Sequence, residues 1–219
     1  MANGYYPPGY FTFRAEGASS SATDRLHWPS QRSGVTIGPG YDLKERTELE
    51  IYTDMISIGV SREDANIIKK GAGKKFREAE VFVKEFKNKI KPFNKIQKIA
   101  LFTMIWRRYY IPLAKRVYTK LPEKIFEKDI SFLNKPDSEV SWFKVKWEDL
   151  DNAILDIIAD LIYQGAYSHK RSDIKYASTK NDRNLLAEAV RNDGDLALMD
   201  KGRHRIPFLQ GKENGPTSF

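Results

Sequence analysis

Residues 33–43 read SGVTIGPGYDL, and the division of the whole chain turns on them. Val35-Thr36-Ile37 has strand propensity. Gly38-Pro39-Gly40 then demands a tight turn, where glycine takes positive φ without a steric penalty. Asp42 follows the turn, and from Leu43 the apolar spacing becomes helical. Asp42 can therefore be the N-cap of a helix over 43–58, a carboxylate presented beside Thr36 for chemistry, or both.

Upstream, residues 10–16 (YFTFRAE) read as a short helix or an extended piece. Residues 17–34 are polar and bounded by Gly17 and Gly34, the composition of turns and short strands. Two or three short strands are expected over 17–41. Downstream, Leu43, Ile51, Met55 and Ile58 predict a helix. A second starts at Ser61, and Gly71-Ala72-Gly73 breaks the chain. Phe76, Ala79, Val83, Phe86 and Ile90 predict an amphipathic helix ended by Pro92. Residues 95–109 are apolar nearly all round, which predicts a buried central helix. Further helices are expected over 148–163 and 183–191. The fold class is thus α+β and mostly helical. The expected arrangement is a single bilobal domain over 1–219, with a small lobe at 10–42, a helical lobe at 43–210 and a cleft between them.

The chain has 219 residues, 41% hydrophobic and 30% charged, which are globular proportions. It has no cysteine, which excludes disulfides, thiolate metal sites and a cysteine nucleophile. The three histidines show no metal-ligand spacing, and neither a metal nor another cofactor is expected. The longest largely apolar stretch, Ile99–Trp106, is far short of the roughly 20 residues of a membrane helix, so no membrane insertion is expected. MANGYYPPGY has neither the basic start nor the apolar run of a secretory signal. Synthesis in the cytoplasm with delivery by other means is the expectation. The net charge of +8 reads either as that of a soluble basic protein or as suited to a polyanionic partner: nucleic acid, a membrane surface or a bacterial wall. A basic helical nucleic-acid-binding protein is the alternative. It is disfavoured because no binding motif is present and the basic residues fall on many helices.

Glu16-Gly17, a spacer, and then T-I-G-x-G-x-D-L at 36–43 resemble the muramidase domain of pesticin and its relatives. That group includes lysozyme modules of type VI secretion effectors and some phage endolysins, within the phage-lysozyme superfamily. The resemblance implies a lysozyme-like fold. It also implies hydrolysis of the β-1,4 bond between N-acetylmuramic acid and N-acetylglucosamine. By position, Glu16 would be the general acid, Thr36 the water-positioning residue and Asp42 the catalytic carboxylate. Classical phage lysozymes place their aspartate six residues before the threonine. Here that position is Ser30, so the pesticin-like pattern is the one that fits, with Asp24 as the fallback carboxylate. The aromatics Tyr10, Phe11 and Phe13 precede Glu16, and a carboxyl held against aromatics suits a general acid; from the residues alone, a surface Glu closing a first helix is the favoured reading. K-I-A-L-F-T-M-I-W at 98–106 resembles the superfamily's central helix, which would turn Thr103 and Arg107 toward the cleft.

Trp28 could stack on a sugar or anchor the small lobe's core. Tyr41, beside the catalytic carboxylate, joins it as a candidate substrate contact. Arg203 and Arg205 read as anion-binding or solvated charges. The partners implied are peptidoglycan and, for an antibacterial effector, an immunity protein or delivery machinery. The protein is expected to act as a monomer in the periplasm or on the wall of a target bacterium. A non-catalytic wall-binding relative is the remaining alternative, and the intact Glu16, Thr36 and Asp42 argue against it.

Overall fold

The structure is a computed structural model and describes residues 8–16, 21–31, 33–168 and 170–212. Residues 17–20, within the region expected to carry short strands, lie outside the described residues. Helix α1 (Tyr10–Ala15) comes first and buries Tyr10, Phe11 and Phe13. It belongs to a compact unit made from both ends of the chain, Met1–Ala15 and Arg107–Phe219. The second unit is Glu16–Trp106. The composition change at 42/43 is therefore not a division between units, because both of its sides lie in the Glu16–Trp106 unit.

In that unit β1 (Thr36–Ile37) and β2 (Tyr41–Asp42) form an antiparallel hairpin, with Thr36 opposite Asp42 and Ile37 opposite Tyr41. A bridge between His27 and Thr36 adds a third line. Successive strand side chains point to opposite faces, and the apolar residues keep to one of them, with Thr36, 4% exposed, covered on the other. Leu26, Val35, Ile37, Tyr41 and Leu43 are at most 2% exposed, whereas His27 and Asp42 are half-buried. One face of the hairpin is core and the other is polar.

Helix α2 (Glu48–Ser57) starts later than its apolar spacing predicts. Its N-cap is Thr47, whose side chain accepts from Glu50 N. Asp42 is not a helix cap, and Leu43 is tied into the sheet, its N–H donating to the Val35 carbonyl at 2.8 Å. Ser61 caps α3 (Arg62–Ile68) as its sequence predicts. Helix α4 (Phe76–Phe86) stops before Ile90 and Pro92. Asn94 and Gln97 form a capping box on α5 (Lys95–Ile105), satisfying two orphan donors reciprocally. Helix α5 is not buried all round: Lys98, Leu101, Phe102 and Ile105 face the core, while Ile96 is 77% exposed. A π-helical turn, Trp106–Tyr110, carries the boundary between the units.

The other unit continues with α6 (Ile111–Thr119) and the antiparallel pair β3 (Lys124–Phe126) and β4 (Ser141–Phe143). Helix α7 (Asn152–Tyr163) buries Ile154, Ile157, Ile158 and Leu161 completely, each contributing about 1.5–3 kcal/mol of apolar burial. Around it lie α8 (Ser172–Thr179), α9 (Arg183–Asn192), α10 (Gly194–Arg203) and α11 (Arg205–Leu209). Among the described residues no helix is long and apolar enough to cross a membrane. With helices dominant and, among the described residues, strands in two two-stranded sheets, the fold is α+β and mostly helical.

Arg203 and Arg205 are neither solvated nor open to a ligand. They are 8% and 0% exposed, and both grip Asp160, itself 0% exposed, on α7. Arg203 Nη2 lies 2.7 Å from Asp160 Oδ1, and Arg205 Nη2 lies 2.7 Å from Oδ2. Thr12 of α1 donates its hydroxyl to the same carboxylate at 2.7 Å, and Arg205 also donates to Gln164. Burial pulls the Arg205 guanidinium below its usual range, against the opposing pull of Asp160. A buried guanidinium needs such partners because desolvation costs several kcal/mol per ion.

Candidate active site

The polar face of the hairpin gathers the functional groups. Thr36 exchanges both backbone hydrogen bonds with His27, at 2.8 and 2.9 Å. Its own N–H and C=O therefore point away from β2, and Thr36 and Asp42 form a non-hydrogen-bonded pair. Such pairs bring the facing side chains closest, with Cα atoms about 4.5 Å apart. His27, Thr36 and Asp42 thus form one cross-strand row. The three-residue turn that makes this possible uses Gly38 at φ +60 and Gly40 at φ +91. It packs down on α5 so closely that a Cβ on Gly38 would meet Leu101 Cδ2 at 2.7 Å.

Two backbone donors orient the Asp42 carboxylate: Lys44 N to Oδ1 at 2.9 Å and Gly34 N to Oδ2 at 3.1 Å. The Lys44 ammonium adds a 3.6 Å ion pair. A carboxylate has about four acceptor sites, and this one, 29% exposed, keeps capacity for water. Thr36 is only 4% exposed, and its hydroxyl donates to the Gly34 carbonyl at 3.3 Å. With its proton so used, the hydroxyl oxygen is left as an acceptor.

Gly34 holds this arrangement together. A Cβ there would lie 2.5 Å from Asp42 Oδ1 and 2.9 Å from the Lys74 carbonyl. Gly34→Ala should therefore displace the carboxylate, reduce any activity of the site by at least about tenfold, and destabilise by about 1–3 kcal/mol, the usual cost of overpacking. A denaturant midpoint and a turnover rate check this together. An unchanged rate would mean that the Asp42 position is not critical.

The remaining candidates fall in different places. Glu16 is exposed in the turn that ends α1. The α1 aromatics are buried, so the apolar setting expected for this carboxyl does not enclose it. Asp24 is committed elsewhere: Lys98 Nζ, almost fully buried, lies 2.5 Å from its Oδ1. Trp28 is half-buried, and its indole N–H donates to the Ser33 carbonyl at 3.2 Å, which makes it a brace of the loop. Tyr41 is fully buried and cannot touch a sugar. Its hydroxyl donates to Asp54 at 2.7 Å, and burial together with Asp54 pushes its pKa far up. The Arg46 guanidinium lies 4.2 Å over the Tyr41 ring and donates to the Asp42 carbonyl at 3.0 Å, bracing β2. Thr103 is half-buried on α5, and Arg107 is exposed on the π-helical turn of the other unit. Among the described residues no group of three or more His, Cys, Asp or Glu could hold a metal ion.

His27 is the member of the row that spacing did not single out. Its ring Nδ1 lies 3.0 Å from the Arg25 carbonyl, which can only accept, so Nδ1 is the donor of that bond. Only strand register, invisible as spacing, brings residue 27 beside 36.

The chain belongs to the family described as a domain of unknown function, DUF8812, whose model spans residues 9–205. No curated protein matches it.

Proposed function

We propose that the chain is a peptidoglycan muramidase, hydrolysing the β-1,4 bond between N-acetylmuramic acid and N-acetylglucosamine. The observation that carries this reading is the Thr36–Asp42 pair, set side by side on the polar face of a glycine-turned hairpin. It is joined by the resemblance of Glu16 and the 36–43 motif to pesticin-like muramidases. In this mechanism water sits against Thr36 and Asp42. One hydrogen is directed to the Thr36 hydroxyl oxygen, and the other proton is taken by the Asp42 carboxylate as the water oxygen attacks the anomeric carbon. The glycosidic C–O bond breaks, and its oxygen takes the proton of Glu16. No cofactor or metal enters the reaction so written. Thr36 is too covered to reach a sugar and suits a single water.

Water activation implies inversion at the anomeric carbon. NMR of the first minutes of digestion should show the α-anomer from the β-linked substrate. A β-anomer would mean retention and would remove the water-positioning role of Thr36. The function itself is tested by digesting purified peptidoglycan and weighing the products, where muropeptides ending in reducing muramic acid are expected. Synthesis in the cytoplasm, delivery to a bacterial wall, action as a monomer and neutralisation by an immunity protein belong to the same proposal.

A further inference from the structure

Residues 69–98 hold eleven Lys and Arg against three Asp and Glu, an excess equal to the chain's whole net charge of +8. Elsewhere cations and anions balance, so the basic residues are not spread evenly over the helices as their number first implies. This segment is a 3-10 turn (Lys69–Gly71), α4, and the start of α5. Four of its cations are paired: Lys75 with Glu45, Lys84 with Glu80, Lys89 with Glu85 and Lys98 with Asp24. Lys70, Arg77, Lys87, Lys91 and Lys95 are exposed, with no ion-pair partner among the described residues. A groove of about 600 Å³ opens on α4 and the turn before it, with Lys70, Lys74 and Arg77 along it and Val81, Phe82 and Phe86 lining it.

We propose that this patch binds a linear, phosphate-bearing polymer, and specifically a poly(glycerol phosphate) chain of the bacterial wall. The choice of the wall as source rests on the muramidase reading; the binding does not. Three observations point to this class. Ten of the eleven cations are lysines, point charges suited to spaced phosphates rather than to planar bidentate recognition. Glu78 and Glu85 also border the groove, which disfavours a compact multivalent anion and leaves a polymer whose charges can step past them. The two aromatic rings that line the groove are not open for base stacking, on which single-stranded nucleic acid binding relies: Phe82 is 5% exposed, and the Lys89 ammonium sits 4.4 Å over the Phe86 ring, while the exposed Phe76 is not part of the groove lining. The patch also abuts the candidate active site. Lys75 bridges to Gly34, and the Lys74 carbonyl and Asp42 Oδ1 both lie within 3 Å of the point where a Gly34 Cβ would sit. A wall polymer held here would keep Asp42 at the wall between turnovers.

The test is a fluorescence-anisotropy titration of the full chain with labelled poly(glycerol phosphate) over a salt series, with no activity readout, so that its failure is distinct from failure of the muramidase reading. A K70E/R77E/K87E/K91E variant should bind at least about tenfold more weakly, and its log K–log salt slope should be shallower by about 3, at roughly 0.7 per lost contact. K120E/K128E/K170E/K201E, which removes the same charge from the other unit, should bind nearly as the parent does. Lysine acetylation of the unaltered chain gives a second readout that needs no variant: the polymer should protect Lys70, Lys87 and Lys91 but not Lys128 or Lys201. Equal losses in the two variants, or uniform protection, would overturn the site in favour of mere net charge. Tighter binding of a single-stranded oligonucleotide or of phosphatidylglycerol vesicles at equal phosphate would overturn the polymer.

Discussion

Asp160→Asn should lower the unfolding free energy by about 3–5 kcal/mol, the usual cost of removing one partner from a buried ion cluster. Against a typical total of about 5–15 kcal/mol, that brings the chain close to unfolding at ordinary temperature. Asp160 is fully buried between two guanidiniums and also takes the Thr12 hydroxyl. The asparagine keeps an oxygen for one arginine and presents an amide to the other, leaving buried positive charge uncompensated. The loss extends to packing, because Thr12 joins α1 to α7 through this carboxylate, beside the 3.2 Å bond from the Gly9 N–H to Asp156. A guanidinium denaturation series on the full chain measures the effect. Replacing the cluster as a whole, in D160M/R203L/R205L, should recover most of the loss, since a buried ion cluster is often no better than apolar side chains of similar volume. A loss below about 1 kcal/mol in the single variant would mean that solvent reaches the cluster.

The same cluster shows where sequence reading stops. Arg203 and Arg205 stand in a polar segment near the end of the chain, and their partner is more than 40 residues away on α7. Nothing local distinguishes them from surface arginines, which are the rule. Helices were legible where the apolar spacing was long and clean. α7 was expected from residue 148 and begins at Asn152, because Trp147–Asp149 closes a 3-10 turn and Asp151 takes the N-cap. α2 was expected from 43 because Leu43 falls in phase with Ile51 and Met55, yet it is sheet pairing that buries Leu43. β3 and β4 are three residues each and fifteen residues apart, too short to show a period. The small sheet was legible through its glycine-proline turn, and Thr36 and Asp42 with it. The third member of the row, His27, was not, because register depends on which loop folds back.

Glu16→Gln and Asp42→Asn should each lower peptidoglycan cleavage by about 10²–10⁴-fold, the range for general acid–base groups, and they should be separable from structural damage in opposite ways. Glu16 is exposed at the end of α1, where a substitution usually changes stability by no more than about 0.5 kcal/mol, so the loss falls on turnover. Asp42 carries two backbone donors, Gly34 N and Lys44 N, on separate oxygens. Asparagine has one carbonyl oxygen for both, so one part-buried N–H loses its carboxylate partner, at a cost of about 1 kcal/mol. The variant should still fold, and its rate is compared below its lowered midpoint. Asp24→Asn provides the control. It weakens the hold on the buried Lys98 ammonium and so costs stability as well, but it removes no carboxylate from the hairpin row and should leave the rate of the folded enzyme within a few-fold of the parent. The three together separate chemistry from support: stability falls in Asp42→Asn and Asp24→Asn, and turnover falls in Glu16→Gln and Asp42→Asn. If Glu16→Gln retains more than about a tenth of the rate, below the least effect of a general acid, Glu16 is a surface residue. If Asp24→Asn abolishes turnover while Asp42→Asn spares it, the second carboxylate comes from the spacer, and the hairpin row is a structural turn.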